Sequence, residues 1–73
     1  MNMFACYATI PTNPCIIDPV HIQVMGTTRP AENFSCVEMS NTRKRYCMTF
    51  ECKDVETAHS IFEGFLKAQK LIN

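Results

Sequence analysis

The residue types in this chain that could do chemistry are five cysteines (Cys6, Cys15, Cys36, Cys47 and Cys52), two histidines (His21 and His59) and one basic triplet, Arg43-Lys44-Arg45. Zinc would need four of the first two kinds in tetrahedral reach, usually as pairs with two to four residues between them. Cys47 and Cys52 have four residues between them, the outer limit, and the histidines stand alone. A set made of Cys36, Cys47, Cys52 and His59 has no local motif behind it. No metal and no cofactor is therefore expected.

Covalent catalysis would need a thiolate in a positive, accessible setting. Cys52 comes nearest, because it stands just before a helix N-terminus whose dipole lowers a thiol pKa, and His59 sits in the first turns of that helix. Cys52 nevertheless falls on the apolar face of its strand, which makes it a packing residue. Glu38 and Glu51 are read on one outer face of a hairpin but not at adjacent positions, so they read as solvated carboxylates. With only Gly26 and Gly64, there is no glycine-rich loop to cradle a phosphate. The expectation is a protein that is not an enzyme.

The odd number of cysteines leaves at least one thiol over. Met1 to Ile10 has no basic stretch, and its apolar run is broken by Tyr7 and Thr9, so it does not read as a secretory signal. A cytoplasmic location with reduced thiols follows as the expectation. Asn33-Phe34-Ser35 fits a glycosylation pattern that carries no weight without export. Seven acidic and seven basic side chains cancel, which argues against binding a polyanion by bulk charge. No apolar run approaches the roughly 18 residues that span a membrane.

The elements that must position these residues are legible in outline. Met3 to Ile10 reads as a strand with Phe4, Cys6, Ala8 and Ile10 on one side, apolar enough on both sides for limited water contact. Val20 to Met25 reads as a second, with Val20, Ile22 and Val24 inward. Phe34–Ser40 and Arg45–Lys53 form a hairpin around Asn41-Thr42-Arg43-Lys44. A four-residue loop there sets Ser40 opposite Arg45, Met39 opposite Tyr46, Val37 opposite Met48 and Ser35 opposite Phe50. Asp54 is a good N-cap for a helix from about Val55 to about Ile72. Its apolar stripe is Ala58, Ile61, Phe62, Phe65, Ala68 and Ile72, and Glu63 and Lys67 form an i,i+4 pair. The fold class is α+β: residues 1–73 as one domain, a four-stranded, mainly antiparallel sheet (β-β-β-β-α) with the C-terminal helix on one face. A meander is the simplest strand order. The expected core includes Val37, Met48, Phe50, Ile61, Phe62 and Phe65.

In this register the outer hairpin face holds Phe34, Cys36 and Cys47, with Thr49, Glu38 and Glu51 as a polar rim. Phe34, Cys36, Cys47 and Thr49 form the candidate protein interface, because a short chain cannot hide all its apolar surface behind one helix. The chain then reads as a small non-enzymatic interaction protein that binds and modulates a macromolecular partner, with a homodimer as one form. The alternative is a nucleic-acid-binding module that uses the tip Arg43, Lys44 and Arg45, since basic β-ribbons enter grooves. Against it, charged tips also keep hairpins soluble.

Overall fold

The computed structural model of the protein describes residues 2–12 and 20–72. Cys15 lies outside them. Four strands, β1 (Asn2–Pro11), β2 (His21–Gly26), β3 (Glu32–Glu38) and β4 (Arg43–Cys52), precede one helix, α1 (Val55–Ala68). All neighbouring strands are antiparallel, in the order β2-β1-β4-β3. The fold is the expected α+β sheet with a C-terminal helix, but the strand order is not a meander. β1 and β4 instead pair along their whole length, from Asn2 opposite Cys52 to Pro11 opposite Arg43. A strand apolar on both sides belongs in the middle of a sheet. β1 meets that condition: Phe4, Cys6, Ala8 and Ile10 are buried on one side, and Ala5 is buried on the other.

This order has a consequence for the connection between β2 and β3. Residues 27–31 must travel from one edge of the sheet to the other, past the ends of β1 and β4. Thr27 N–H donates to the Met3 carbonyl at 3.0 Å, and the Arg29 side chain donates to the Tyr7 hydroxyl. Ala5 and Thr49, which pair across β1 and β4 and face away from the helix, are also buried.

The helix starts at Asp54, whose Oδ1 accepts from Thr57 N–H at 2.8 Å. That bond holds the Asp54 carboxyl below its ordinary range. The expected Glu63–Lys67 pair is present at 3.2 Å. The helix ends at Ala68, four residues before the expected end, in a Schellman motif: Lys70 N–H donates to the Lys67 carbonyl and Leu71 N–H to the Leu66 carbonyl, both at 2.9 Å. The buried stripe is Ala58, Phe62 and Leu66. It is rotated from the expected one, so that Ile61 and Phe65 are each 40% exposed at its flank. The helix lies over β2, β1 and β4 and meets β3 through the rings of Phe62 and Phe65 against Phe34.

The β3–β4 register differs from the expected one. Glu38 stands opposite Lys44, Val37 opposite Arg45, Cys36 opposite Tyr46 and Ser35 opposite Cys47. The offset from the Ser40–Arg45 alignment is three residues. An odd offset turns every β3 side chain to the other face. β4 keeps its expected sides, with Tyr46, Met48, Phe50 and Cys52 toward the helix. β3 reverses: Phe34 and Cys36 face the helix side, and Val37 is 57% exposed. The rings explain the choice. Phe34 stacks on Tyr46 with centroids 5.6 Å apart and on Phe65 at 6.2 Å. Large rings bury more area than valine and gain from stacking as well. The connection is also held in place, because Met39 and Ser40 N–H groups reach the Arg43 carbonyl, and Thr12 N–H bonds the Thr42 carbonyl at 2.8 Å. One extra β3 residue between Glu32 and Ser35 makes a bulge.

The core is thus Phe4, Cys6, Ala8, Ile10, Cys52, Ala58, Phe62 and Leu66, with Met48 and Phe50 partly buried against it. Of the expected core residues, Phe62 is at its centre. Val37 belongs to the surface, and Ile61 and Phe65 to the flank.

Candidate functional site

Strand alternation divides the basic triplet. Along β4, the partners of the core-facing β1 residues are Lys44, Tyr46, Met48 and Phe50. Arg43 and Arg45 therefore stand on the face without the helix, and Lys44 stands on the helix side. On the face without the helix, Arg45 places its guanidinium 5.5 Å from the centroid of the Tyr7 ring. Arg29 approaches the same residue from the crossing connection and donates to its hydroxyl. Tyr7 is thus held between two arginines that come from separate parts of the chain.

Apolar groups lie beside this cluster. Val37 stands opposite Arg45 and is 57% exposed. Met39 is 50% exposed, and its sulfur lies 4.0 Å from the Thr9 hydroxyl oxygen. His21 and Gln23 on β2, opposite Thr9 and Tyr7, are exposed on the same face. The site is a shallow patch of arginine, tyrosine, valine and methionine at the hairpin end. Toward the other end of this face, Ala5 and Thr49 are buried.

The four residues of the expected interface do not form one surface. Phe34 and Cys36 lie on the helix side. Phe34 is committed to the ring cluster with Tyr46, Phe62 and Phe65, while Cys36 is exposed beside Tyr46. Cys47 and Thr49 lie on the other face, Cys47 half-buried and Thr49 buried. Glu38 and Glu51 likewise occupy register positions on opposite faces. The cause in each case is the odd register offset.

Cys6, Cys47 and Cys52 are in settings that suit packing. Burial, followed by the neighbouring Cys52, pushes the Cys6 thiol up to about 11. Burial also raises Cys47, and the nearby Arg45 and Arg29 only partly oppose it. Cys52 is 4% exposed within the core, and His59 is turned to Glu63 at 3.8 Å. No Cys–His pair is assembled among these residues. Among the described residues, no group of three histidine, cysteine or acidic side chains converges as a metal site would. None of the described helices is long and apolar enough to cross a membrane.

Sequence reasoning missed Tyr7, Arg29, Val37 and Met39 as parts of one site. Tyr7 carried a usable signal, since it alternates off the core side of β1. Arg29 carried none, because its place depends on a connection that exists only with β1 in the middle. No family model, curated protein or solved structure matches the chain.

Proposed function

We propose that this protein is a small non-enzymatic binding module that engages an acidic protein surface through the hairpin end of its helix-free face. The observation that carries the reading is the exposure of Val37 and Met39 beside the Arg45–Tyr7–Arg29 cluster. Tyrosine, arginine and methionine are the residue types enriched at protein interfaces. Arginines that flank an apolar centre select for carboxylates at the partner's rim. Arg45 and Tyr7 also preorganise each other, which lowers the entropy lost on binding.

A second reading rests on the arginines alone: Arg29, Arg43 and Arg45 share this face with an aromatic ring, a combination that also suits single-stranded nucleic acid. Photo-crosslinking in the native host tests both. A crosslinker at position 37 is expected to trap one protein species, lost on Arg45→Glu, while a crosslinker at Ser60 on the outer side of the helix does not. Crosslinks to nucleic acid that weaken steeply with salt support the second reading instead. Equal, unspecific labelling from positions 37 and 60 removes both.

A further inference from the structure

Lys44, separated from Arg43 and Arg45 by strand alternation, enters a cleft of about 370 Å³ on the helix side, lined by Ile10, Pro11, Thr12, Lys44, Tyr46, Lys70 and Leu71. Such a volume is at the small end of ligand pockets. Ile10 and Leu71 give it an apolar floor, and Tyr46 supplies a ring and a phenol. Among the described residues, Lys44 from the sheet and Lys70 from the helix end contribute the charged side chains of the lining, and both are ammonium groups.

Both walls are fixed by backbone bonds. Thr12 is tied to the hairpin through N–H to the Thr42 carbonyl at 2.8 Å, and its hydroxyl donates to the Asn41 carbonyl at 3.1 Å. Lys70 and Leu71 are tied to the last helical turn by the Schellman bonds at 2.9 Å. Lys70 itself has φ 60°, the left-handed region that this position usually gives to glycine because a side chain is disfavoured there. A cation at a helix C-terminus is favoured by the helix dipole, and this one also lines the cleft.

We propose that this cleft is a binding site for a small phosphomonoester that carries a compact apolar ring. The ring would lie on Ile10 and Leu71 beside Tyr46. The doubly charged phosphate would sit between Lys44 and Lys70, since two point charges from separate walls suit a dianion better than a single carboxylate. This site is distinct from the patch around Tyr7, which lies on the other side of β4.

Phenyl phosphate, titrated against the whole chain and followed by amide NMR, is the test. Saturable shifts are expected at Thr12, Lys44, Tyr46, Lys70 and Leu71. Inorganic phosphate and benzyl alcohol should each bind about tenfold more weakly, because each lacks one half of the contact. Lys70→Gly is the informative variant, because it removes the ammonium group while relieving the backbone. Its melting temperature should rise, and its affinity for phenyl phosphate should fall about fivefold, the scale of one exposed ion pair. Lys44→Ala should weaken binding similarly, whereas Lys67→Ala, outside the cleft, should not. Unchanged affinity in Lys70→Gly, benzyl alcohol binding as well as phenyl phosphate, or no shift at these amides at millimolar ligand would each overturn the proposal.

Discussion

Both faces of the sheet receive apolar side chains from β3 and use them in opposite ways. On the helix side, Phe34 completes a stack of rings that links the edge strand to the helix. On the other side, Val37, three residues later, touches no such cluster and stays mostly in water. A small domain has little free energy to spare and places its largest apolar groups where they bury most. Of the large apolar side chains left exposed, Val37 and Met39 lie beside Arg45 and Tyr7, while Ile61 and Phe65 lie at the helix flank. The difference teaches that the stabilising face and the face proposed to bind are separable, and mutations should separate them.

The largest effect belongs to the centre of the stabilising face. Phe62 has no solvent exposure and is ringed by core residues from β1, β4 and the helix. Phe62→Ala is expected to cost about 3–5 kcal/mol, much of the total stability of a chain this size. Chemical denaturation followed by circular dichroism measures it. A loss under about 1 kcal/mol would mean that the helix does not pack as described.

Phe34 comes next and decides between the two registers of the hairpin. In the observed register Phe34→Ala removes two ring stacks and a half-buried side chain, with an expected loss of about 2 kcal/mol. In the register read from the hairpin pattern, Phe34 is a surface residue whose loss costs little. The same melt on Phe34→Ala therefore tests the alignment directly, and a negligible change restores the outer-face interface of Phe34 with Cys47.

The reason that alignment was hard to read is specific. β4 alternates cleanly, and its apolar side was evident from Tyr46, Met48, Phe50 and Cys52. β3 is ambiguous, because Phe34 and Cys36 make one apolar side and Val37 and Met39 make another. Only the cross-strand stack on Tyr46 and the helix rings choose between them, and these are long-range contacts. β1 was legible because a strand apolar on both sides has few places to go, although its central position also required the β2–β3 crossing. The helix start at Asp54 was local chemistry and was plain. The helix carries two overlapping apolar stripes, one through Ile61 and Phe65 and one through Leu66, and only packing on the sheet selects Ala58, Phe62 and Leu66. The charged triplet was visible as three residues in a row, but alternation gives Lys44 a different role from its neighbours.

A smaller effect, of opposite sign, comes from Gly64 on the outer side of the helix. A glycine inside a helix either permits a close approach or is a tolerated surface residue. A methyl group built there meets nothing within 4 Å, so no close approach requires it. Gly64→Ala should stabilise by about 1 kcal/mol through helix propensity, which raises the melting temperature of a domain this size by roughly 4–8 °C. Binding at the helix-free face should not change, because the helix lies on the opposite side.

The smallest expected effect on stability is also the sharpest test of the division between faces. Val37→Thr keeps the β-branch that suits a strand and changes one methyl group for a hydroxyl. At 57% exposure the hydroxyl remains hydrated, so there is no desolvation to offset, and the melting temperature should move by no more than about 0.5 kcal/mol warrants. The same change removes apolar surface from the middle of the patch beside Arg45, so partner capture from position 39 should weaken while folding does not. A melt that falls as far for Val37→Thr as for Phe34→Ala would show that both sides of β3 are structural. In that case the face without the helix is not a free surface.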